Sequence, residues 1–220
     1  MITIGADPEL FLVKQGVPVT PKGIVPGTKR NPSPVEGGSV QRDGTAAEFN
    51  INPCKSPKQF CSIITQVIDQ LLDISGCELD PVVTRDWGDK IKSMTGDERN
   101  LGCEPDFNAW TGKVNPKPDV DSTMRTAGGH IHLGFLKGGD RSGDYHNYIN
   151  PLIKIMDENL GVPSILWDSD DKRRQLYGCA GFYRPKFFGA EYRPLSNAWV
   201  FDEGLKEFSL LHQPQVVSLA

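Results

Sequence analysis

The chain has few cysteines, and none of them form a closely spaced pair. Its five cysteines are scattered and odd in number: Cys54, Cys61, Cys77, Cys103 and Cys179. A disulfide framework uses an even set of cysteines, and a structural zinc site usually uses thiols a few residues apart. Neither class of protein is expected, and we predict reduced thiols.

The sequence also lacks a long apolar run and a strong excess of either charge. No run reaches the length that crosses a bilayer, and the first residues do not form the charged and apolar regions of a secretory signal. The formal net charge is −4 over 220 residues, so no general nucleic-acid or membrane partner is expected. We predict a single cytoplasmic domain, residues 1–220, for which self-association stays open.

Histidine is scarce too, and two of the four histidines lie two residues apart, at His130 and His132. Alternate side chains of a β-strand point to the same face. A strand here would show both imidazoles on one face and bury Ile131 and Leu133 on the other. Such a strand would line a polar site, although two structural histidines are the alternative interpretation.

Three further segments alternate polar and apolar residues in the same way. Their polar pairs are Asp7 with Glu9, Glu48 with Asn50, and Glu191 with Arg193, in strands predicted at residues 2–13, 45–51 and 191–195. Carboxylates and imidazoles that converge from separate strands suit a hard divalent cation such as Mg²⁺ or Mn²⁺.

Apolar residues at helical spacing predict two helices. The first begins at the N-cap Ser56, ends at Gly76, and should cover the apolar back of the sheet. The second spans residues 144–160, and Pro151 should kink it or mark its true start. Its expected inner face comprises Tyr148, Leu152, Ile155 and Met156.

The remaining segments are mainly predicted as loops and short charged helices. Residues 21–38 are expected to form a surface loop whose basic residues, Lys29 among them, are either solvated or bind phosphate. Residues 168–174 predict a capped, solvated helix rather than a metal loop. A terminal helix is expected at residues 202–211.

Four of these segments together resemble motifs of the carboxylate–amine ligases, a superfamily that includes glutamine synthetase and glutamate–cysteine ligase. The resemblance is greatest to the phage-encoded type 2 amidoligases. The motifs lie, in the order of the superfamily, at residues 5–10, 43–50, 129–134 and 184–194. The resemblance implies an α+β fold: a curved, mainly antiparallel sheet with a polar concave face and helices on its other face.

The resemblance also implies an enzyme that uses ATP with Mg²⁺ or Mn²⁺. Such ligases activate a carboxylate as an acyl phosphate, which an amine then attacks, so the implied partners are a small-molecule or peptide carboxylate and an amine. The implied metal ligands are Asp7, Glu9, Glu48, His130 and Glu191. The implied nucleotide-binding residues are Asn50, His132, Arg184, Lys186 and Arg193, and those in catalysis are Arg184, Glu191 and Arg193.

Two other classes stay open. A metal-dependent hydrolase could use the His-x-His strand, but it would need more soft ligands than the chain offers. An Fe(II) oxygenase could use two histidines and a carboxylate, but it would give no role to Glu9, Glu191, Arg184 and Arg193 together. A non-catalytic phage protein could also keep the fold. In the ligase hypothesis Glu191 faces a wet cleft, so Glu191→Gln should leave the fold intact and even stabilise the metal-free protein.

Overall fold

A curled antiparallel sheet, shaped like a half-barrel, forms the centre of the protein. Helices accompany the sheet, so the α+β class and the curved antiparallel sheet predicted from the sequence are confirmed. The structure is a computed structural model that describes residues 2–99, 106–116, 123–135, 145–202 and 204–205. No helix among the described residues is long and apolar enough to cross a membrane.

The sheet has two arms of six strands each, in which neighbouring strands are antiparallel. The first arm has the order β1 (Thr3–Ala6), β12 (Ile131–Gly134), β14 (Gly189–Tyr192), β13 (Phe182–Lys186), β9 (Phe107–Asn108) and β10 (Lys113–Val114). The second has the order β3 (Val17–Val19), β2 (Glu9–Lys14), β6 (Ala46–Ile51), β5 (Gly38–Asp43) and β4 (Ser33–Val35), with β7 (Glu78–Asp80) also paired to β2. Strands β8 (Thr84–Asp86) and β11 (Met124–Thr126) form a separate pair.

The two arms meet at Asp7 and Pro8, where the predicted first strand is interrupted. A continuous strand over residues 2–13 is therefore wrong, because β1 ends before Asp7 and β2 begins after Pro8. Proline has no N–H to donate to a ladder, so the chain leaves one arm here and enters the other. The arms stay joined beside the break, where the Cys54 N–H donates to the Ile4 carbonyl oxygen at 2.7 Å.

Helix α1 (Pro57–Ser75) confirms the clearest helix prediction. The Ser56 side chain accepts a hydrogen bond from the Gln59 N–H at 3.3 Å, and Gly76 ends the helix in the left-handed conformation with φ of 58°. Its buried apolar side packs against β5 and β6 on the back of the sheet. The buried apolar residues of α1 are Phe60, Ile64, Val67, Ile68 and Leu71.

The second helix exists, and its predicted inner face is wrong at one position, Tyr148. Helix α4 (Tyr145–Met156) continues into a π-helical turn (Asp157–Gly161) and contains Pro151. Leu152 and Met156 are buried and Ile155 packs against the core, as predicted, but Tyr148 is 73% exposed. The buried residues are Tyr145, Ile149, Leu152, Ile153 and Met156, which follow the spacing i, i+4, i+7, i+8 and i+11.

The shorter segments differ from prediction in two places. Strand β4 lies inside the stretch 21–38 that was expected to be a loop. The charged segment does form a helix with Asp170 as its N-cap, but Arg173 is buried rather than solvated. The short helices are α2 (Lys90–Ser93), α3 (Gly96–Arg99), α5 (Val162–Ser164), α6 (Asp171–Leu176) and a 3₁₀ turn (Asn197–Phe201). The predicted terminal helix lies largely outside the described residues.

We predict that Gly76→Ala lowers the free energy of unfolding by about 1 kcal/mol, because a β-carbon is disfavoured in the left-handed conformation. Gly96→Ala is the matched control. Both glycines have open space where a β-carbon would lie, but Gly96 does not have a positive φ. Urea denaturation should show the control to be neutral or slightly stabilised, and equal effects would contradict the assignment of Gly76 as the cap.

Candidate metal and anion site

The first arm carries a row of polar side chains across its concave face. His132 on β12 lies opposite Glu191 on β14, and Glu191 lies opposite Arg184 on β13. Residues directly opposite one another in an antiparallel sheet point to the same face. The motifs predicted at residues 129–134 and 184–194 are therefore neighbours in the sheet.

The second arm carries a corresponding acidic row. Glu9 on β2 lies opposite Glu48 on β6, and Glu48 lies opposite Gln41 on β5. Nothing in the sequence analysis identified Gln41, because β5 has no strong alternation and was not predicted as a strand. Pairing with Glu48 places it in the row.

The two rows face a cavity of about 700 Å³. All ten residues that the sequence analysis assigned to a site line this cavity: Asp7, Glu9, Glu48, Asn50, His130, His132, Arg184, Lys186, Glu191 and Arg193. Lining residues that were not predicted include Gln41, Phe187 and Phe188, and Lys29, which was left open between solvent and phosphate, also lines the cavity. The cavity has the size of a site for a small molecule or cofactor.

A cluster of carboxylates and imidazoles lies where the arms meet. Asp7, His130 and Glu191 each offer a ligand atom, and these atoms lie within 4.8 Å of one another. The Nδ1 of His130 is 3.3 Å from Oδ1 of Asp7 and 3.6 Å from Oε1 of Glu191. The Nε2 of His132 approaches the same Asp7 oxygen at 3.1 Å and Oε2 of Glu191 at 3.9 Å.

Burial and charge act in opposite directions in this cluster. Burial disfavours a charge on Asp7, but the adjacent His132 and His130 outweigh it and hold the pKa of Asp7 well below its usual range. Burial and the charge of Arg193 lower the pKa of His130. Burial acts the same way on His132, but Asp7 and Glu191 outweigh it and raise its pKa.

The donor set fits a divalent cation. The buried Oε2 of Glu48 makes no hydrogen bond with the described residues, whereas Oδ1 of Asp7 and Nε2 of His132 have each other as close partners. Buried polar atoms are normally satisfied, so an atom left like Oε2 of Glu48 at a cavity wall points to a ligand. Carboxylate and imidazole ligands suit Mg²⁺ and Mn²⁺, and they also suit Zn²⁺ and Fe²⁺.

Three cationic side chains surround the Glu191 carboxylate. The Nη1 of Arg184 lies 3.2 Å from Oε1, the Nζ of Lys186 lies 2.5 Å from Oε2, and Arg193 donates to Oε1 through its Nη1. Glu191 itself is completely buried. Glu191 therefore lines the cavity but is not exposed to water as expected, because the basic side chains pack around its carboxylate.

The cations keep Glu191 ionised. Burial and the negative charge of Asp7 oppose ionisation, but Arg193, His130 and Arg184 outweigh both and hold the pKa of Glu191 well below its usual range. The expectation that Glu191→Gln leaves the fold intact or stabilises it conflicts with this arrangement. Removing the charge would take away the carboxylate that two buried guanidinium groups share.

Arg193 is held by a second carboxylate that the sequence analysis did not assign. Its Nε donates to Oδ2 of Asp106 at 3.1 Å, and Oδ1 of Asp106 accepts a hydrogen bond from the Asn115 side chain at 2.8 Å. Asp106 immediately precedes β9. The Arg193 guanidinium is consequently fixed between two anions.

The acidic row is only partly compensated. Oε2 of Glu9 accepts a hydrogen bond from the Gly128 N–H at 2.7 Å. Burial, followed by the negative charges of Asp7, Asp43 and Glu9, raises the pKa of Glu48 well above its usual range. This end of the cavity therefore attracts a cation or a proton.

Further polar residues lie at the acidic end of the cavity, beside the row of Glu9 and Glu48. The Nζ of Lys29 lies 2.8 Å from Oδ2 of Asp43, so this loop lysine lines the cavity. The Ser39 hydroxyl donates to the Asn50 side-chain oxygen at 2.7 Å. The side-chain oxygen of Gln41 is buried and has no hydrogen-bond partner in the described part of the chain.

Comparison of the chain with protein families, with curated proteins and with solved structures found no match. The type 2 amidoligase assignment accordingly rests on the four motifs and stays a prediction.

We predict that Glu48→Gln stabilises the protein at neutral pH when divalent cations are removed. The folded pKa of Glu48 is raised, so its stabilising contribution is complete below the unfolded pKa and is lost as pH rises through the folded value. The melting temperature should rise by roughly 2–4 °C or more, the shift that 1 kcal/mol produces in a chain of this size. Melting curves from pH 4 to 8 should show that the rise in melting temperature becomes smaller as the pH falls. No rise at neutral pH would contradict the conclusion that the acidic row is only partly compensated.

We predict the opposite for Glu191→Gln, which should lower the free energy of unfolding by about 3–5 kcal/mol at neutral pH. The folded pKa of Glu191 is depressed, so its contribution is present above the unfolded pKa and is lost as pH falls. The measurement compares the free energies of unfolding of Glu48→Gln, Glu191→Gln and the wild type under identical metal-free conditions. A Glu191→Gln variant as stable as the wild type would show that the cations do not depend on this carboxylate.

Proposed function

We propose that the protein is an ATP- and Mg²⁺- or Mn²⁺-dependent ligase that joins a carboxylate to an amine, of the type 2 amidoligase kind. The observation that supports the proposal is the convergence of four distant motifs on a single cavity. Acids and histidines lie at the junction of the arms, and three cations lie beside them. This combination suits phosphoryl transfer, which depends on positioning and on neutralising negative charge.

In this proposal Asp7, His130 and Glu191 hold one divalent cation, and Glu9 with Glu48 holds a second. The cations, when bound, neutralise charge on the phosphates of the nucleotide. Glu191 and Asp7 are already ionised, as metal ligands must be. The raised pKa of Glu48 falls when a cation approaches, because opposite charge favours its ionised form.

Three basic side chains bind the phosphoryl group that moves from ATP to the substrate carboxylate: those of Arg184, Lys186 and Arg193. The P–O bond to ADP would break as a bond to the carboxylate oxygen forms. The amine would then attack the carbonyl carbon, expel phosphate and lose a proton to solvent, which gives the neutral amide. Arg193 is suited to the role because Asp106 fixes its Nε. A guanidinium offers a planar pair of donors to phosphate, which lysine does not.

The ion pairs around Glu191 imply that metal and nucleotide bind cooperatively. Lys186 and Arg193 both pair with Glu191. When Glu191 binds a cation, its charge is shared, and both side chains become more available to an anionic ligand. Metal binding should therefore raise the affinity for ATP, and the converse follows by linkage.

We predict that millimolar Mn²⁺ with ATP raises the melting temperature by more than the sum of the two separate shifts, since both ligands bind the folded state. Asp7→Asn should abolish the Mn²⁺ shift. Asp171→Asn is the matched control, because the Asp171 side chain is 77% exposed on α6 and is not among the residues that line the cavity. An unchanged melting curve of the wild type with metal, with and without ATP, would refute the proposal.

We predict that Arg193→Lys lowers turnover at least about tenfold, the scale of one lost charge-stabilising group. The assay is ADP release by purified protein with Mg²⁺ or Mn²⁺ and pooled amino acids, polyamines and peptides. Arg174→Lys is the control, because Arg174 pairs with Asp171 on the surface. Normal turnover by Arg193→Lys with the substrates that the screen identifies would show that the assignment is wrong.

A second candidate is a metal-dependent hydrolase or an Fe(II) oxygenase. The observation that favours it is the approach of both His130 and His132 to Asp7, at 3.3 and 3.1 Å, which assembles two imidazoles and a carboxylate. Such a set selects Zn²⁺ or Fe²⁺. The hypotheses separate in the melting experiment, because tight Zn²⁺ or Fe²⁺ binding with no effect of ATP would favour the second candidate.

A further inference from the structure

The turn between β13 and β14 has an unusual sequence. Its two residues are Phe187 and Phe188, and Lys186 lies opposite Gly189 at the base of the turn. Two-residue hairpin turns favour glycine, asparagine and aspartate, whose small side chains allow the required backbone conformations. Phe187 is nevertheless 68% exposed and lines the mouth of the cavity. Neither turn chemistry nor core packing accounts for this side chain.

The phenylalanine pair is supported from below. The Phe188 ring centroid lies 5.7 Å from that of His132, and the Phe188 carbonyl oxygen accepts a hydrogen bond from the Phe135 N–H at 2.9 Å. Phe187 packs edge-on against Phe188, with centroids 5.1 Å apart and planes at 78°. The exposed ring is thus braced, at the edge of the cavity, by a residue that is itself fixed to the sheet.

The same end of the cavity has a floor with few side chains. Gly5 on β1 and Gly134 on β12 both line it, and Pro53 lines it as well. A β-carbon at Gly5 would lie 3.5 Å from the β-carbon of His132 and 3.9 Å from the Ile51 carbonyl oxygen, on the face where His132 meets the cavity. The space that a side chain would take at Gly5 is therefore available to a ligand.

We propose that this end of the cavity is a subsite for a flat aromatic ring, in which Phe187 stacks on the base of the bound nucleotide. The inference rests on the proposed function, because Lys186 and His132, next to the turn, are the groups that would bind the phosphates. Stacking on an exposed phenylalanine suits any base, since each has a π face. The subsite therefore favours a nucleoside triphosphate over inorganic tripolyphosphate, which has no ring to stack.

The test compares the affinities of ATP and tripolyphosphate by titration calorimetry, in the presence of Mn²⁺, for wild type and Phe187→Ala. We expect Phe187→Ala to weaken ATP about tenfold and to leave tripolyphosphate unchanged. Phe187→Trp should retain ATP affinity, because it keeps a stacking surface. Tyr148→Ala is the matched control, since Tyr148 is an equally exposed aromatic residue on α4, away from the cavity lining.

A second variant adds bulk instead of removing a ring. Gly5 lies in a strand without a positive φ, so Gly5→Val is compatible with its backbone. The added side chain should reduce ATP affinity more than tripolyphosphate affinity, because it occupies the ring space beside the phosphate groups. Tripolyphosphate binding also reports that the folded site is intact.

The possible results separate the subsite from the proposed function. A wild type that binds neither ATP nor tripolyphosphate with Mn²⁺ would overturn the proposed function, and the subsite with it. A wild type that binds both, with no difference between Phe187→Ala and wild type for ATP, would overturn the subsite alone. Equal affinities of the wild type for ATP and tripolyphosphate would also overturn the subsite alone.

Discussion

The burial of one carboxylate, that of Glu191, is the constraint on which the rest of the cavity depends. An unpaired buried charge is expensive, so the hairpin that carries Glu191 must also supply its counter-ions. The antiparallel register of β13 and β14 achieves this by placing Arg184 directly opposite and Lys186 on the same face. Arg193 follows two residues after Glu191 and completes the set. A short piece of sheet thereby concentrates three positive charges around one negative charge.

The charges of the second arm are not balanced in this way. The acidic row of Glu9 and Glu48 has Lys29 at the mouth, but burial and neighbouring acids still raise the pKa of Glu48. The cavity is thus cation-rich at one arm and acid-rich at the other, with the histidines between them. A polar ligand with both phosphate and divalent cation would complement both arms, which is why the ligase hypothesis accounts for more of the cavity than a lone metal site does.

Much of the site was predictable because side chains alternate between the two faces of a strand, and this pattern is visible within a few residues of the sequence. Glu48 with Asn50, and His130 with His132, needed only alternation to be placed on a shared face. Gln41 was missed because β5 was not predicted as a strand, although Gln41 lies opposite Glu48 in the β5–β6 pair, and Asp106 was missed because its partner Arg193 is far away in sequence. The burial of Glu191 was missed because Asp7 and His130, which lie against its carboxylate, come from distant parts of the chain. On α4, alternative apolar stripes within one helix led to the wrong inner face around Tyr148.

The break at Asp7 and Pro8 makes the two arms partly independent in how they could change over evolution. A one-residue insertion within a continuous strand inverts every side chain beyond it, because the faces alternate. Here β1 pairs with β12 and β2 pairs with β6, so the register of Gly5 with His132 is set separately from that of Glu9 with Glu48. Changes in β5 and β6, on the acidic arm, can therefore occur with less effect on the row that contains Glu191. A fold built in this way can acquire a new preference for one ligand group while retaining the other.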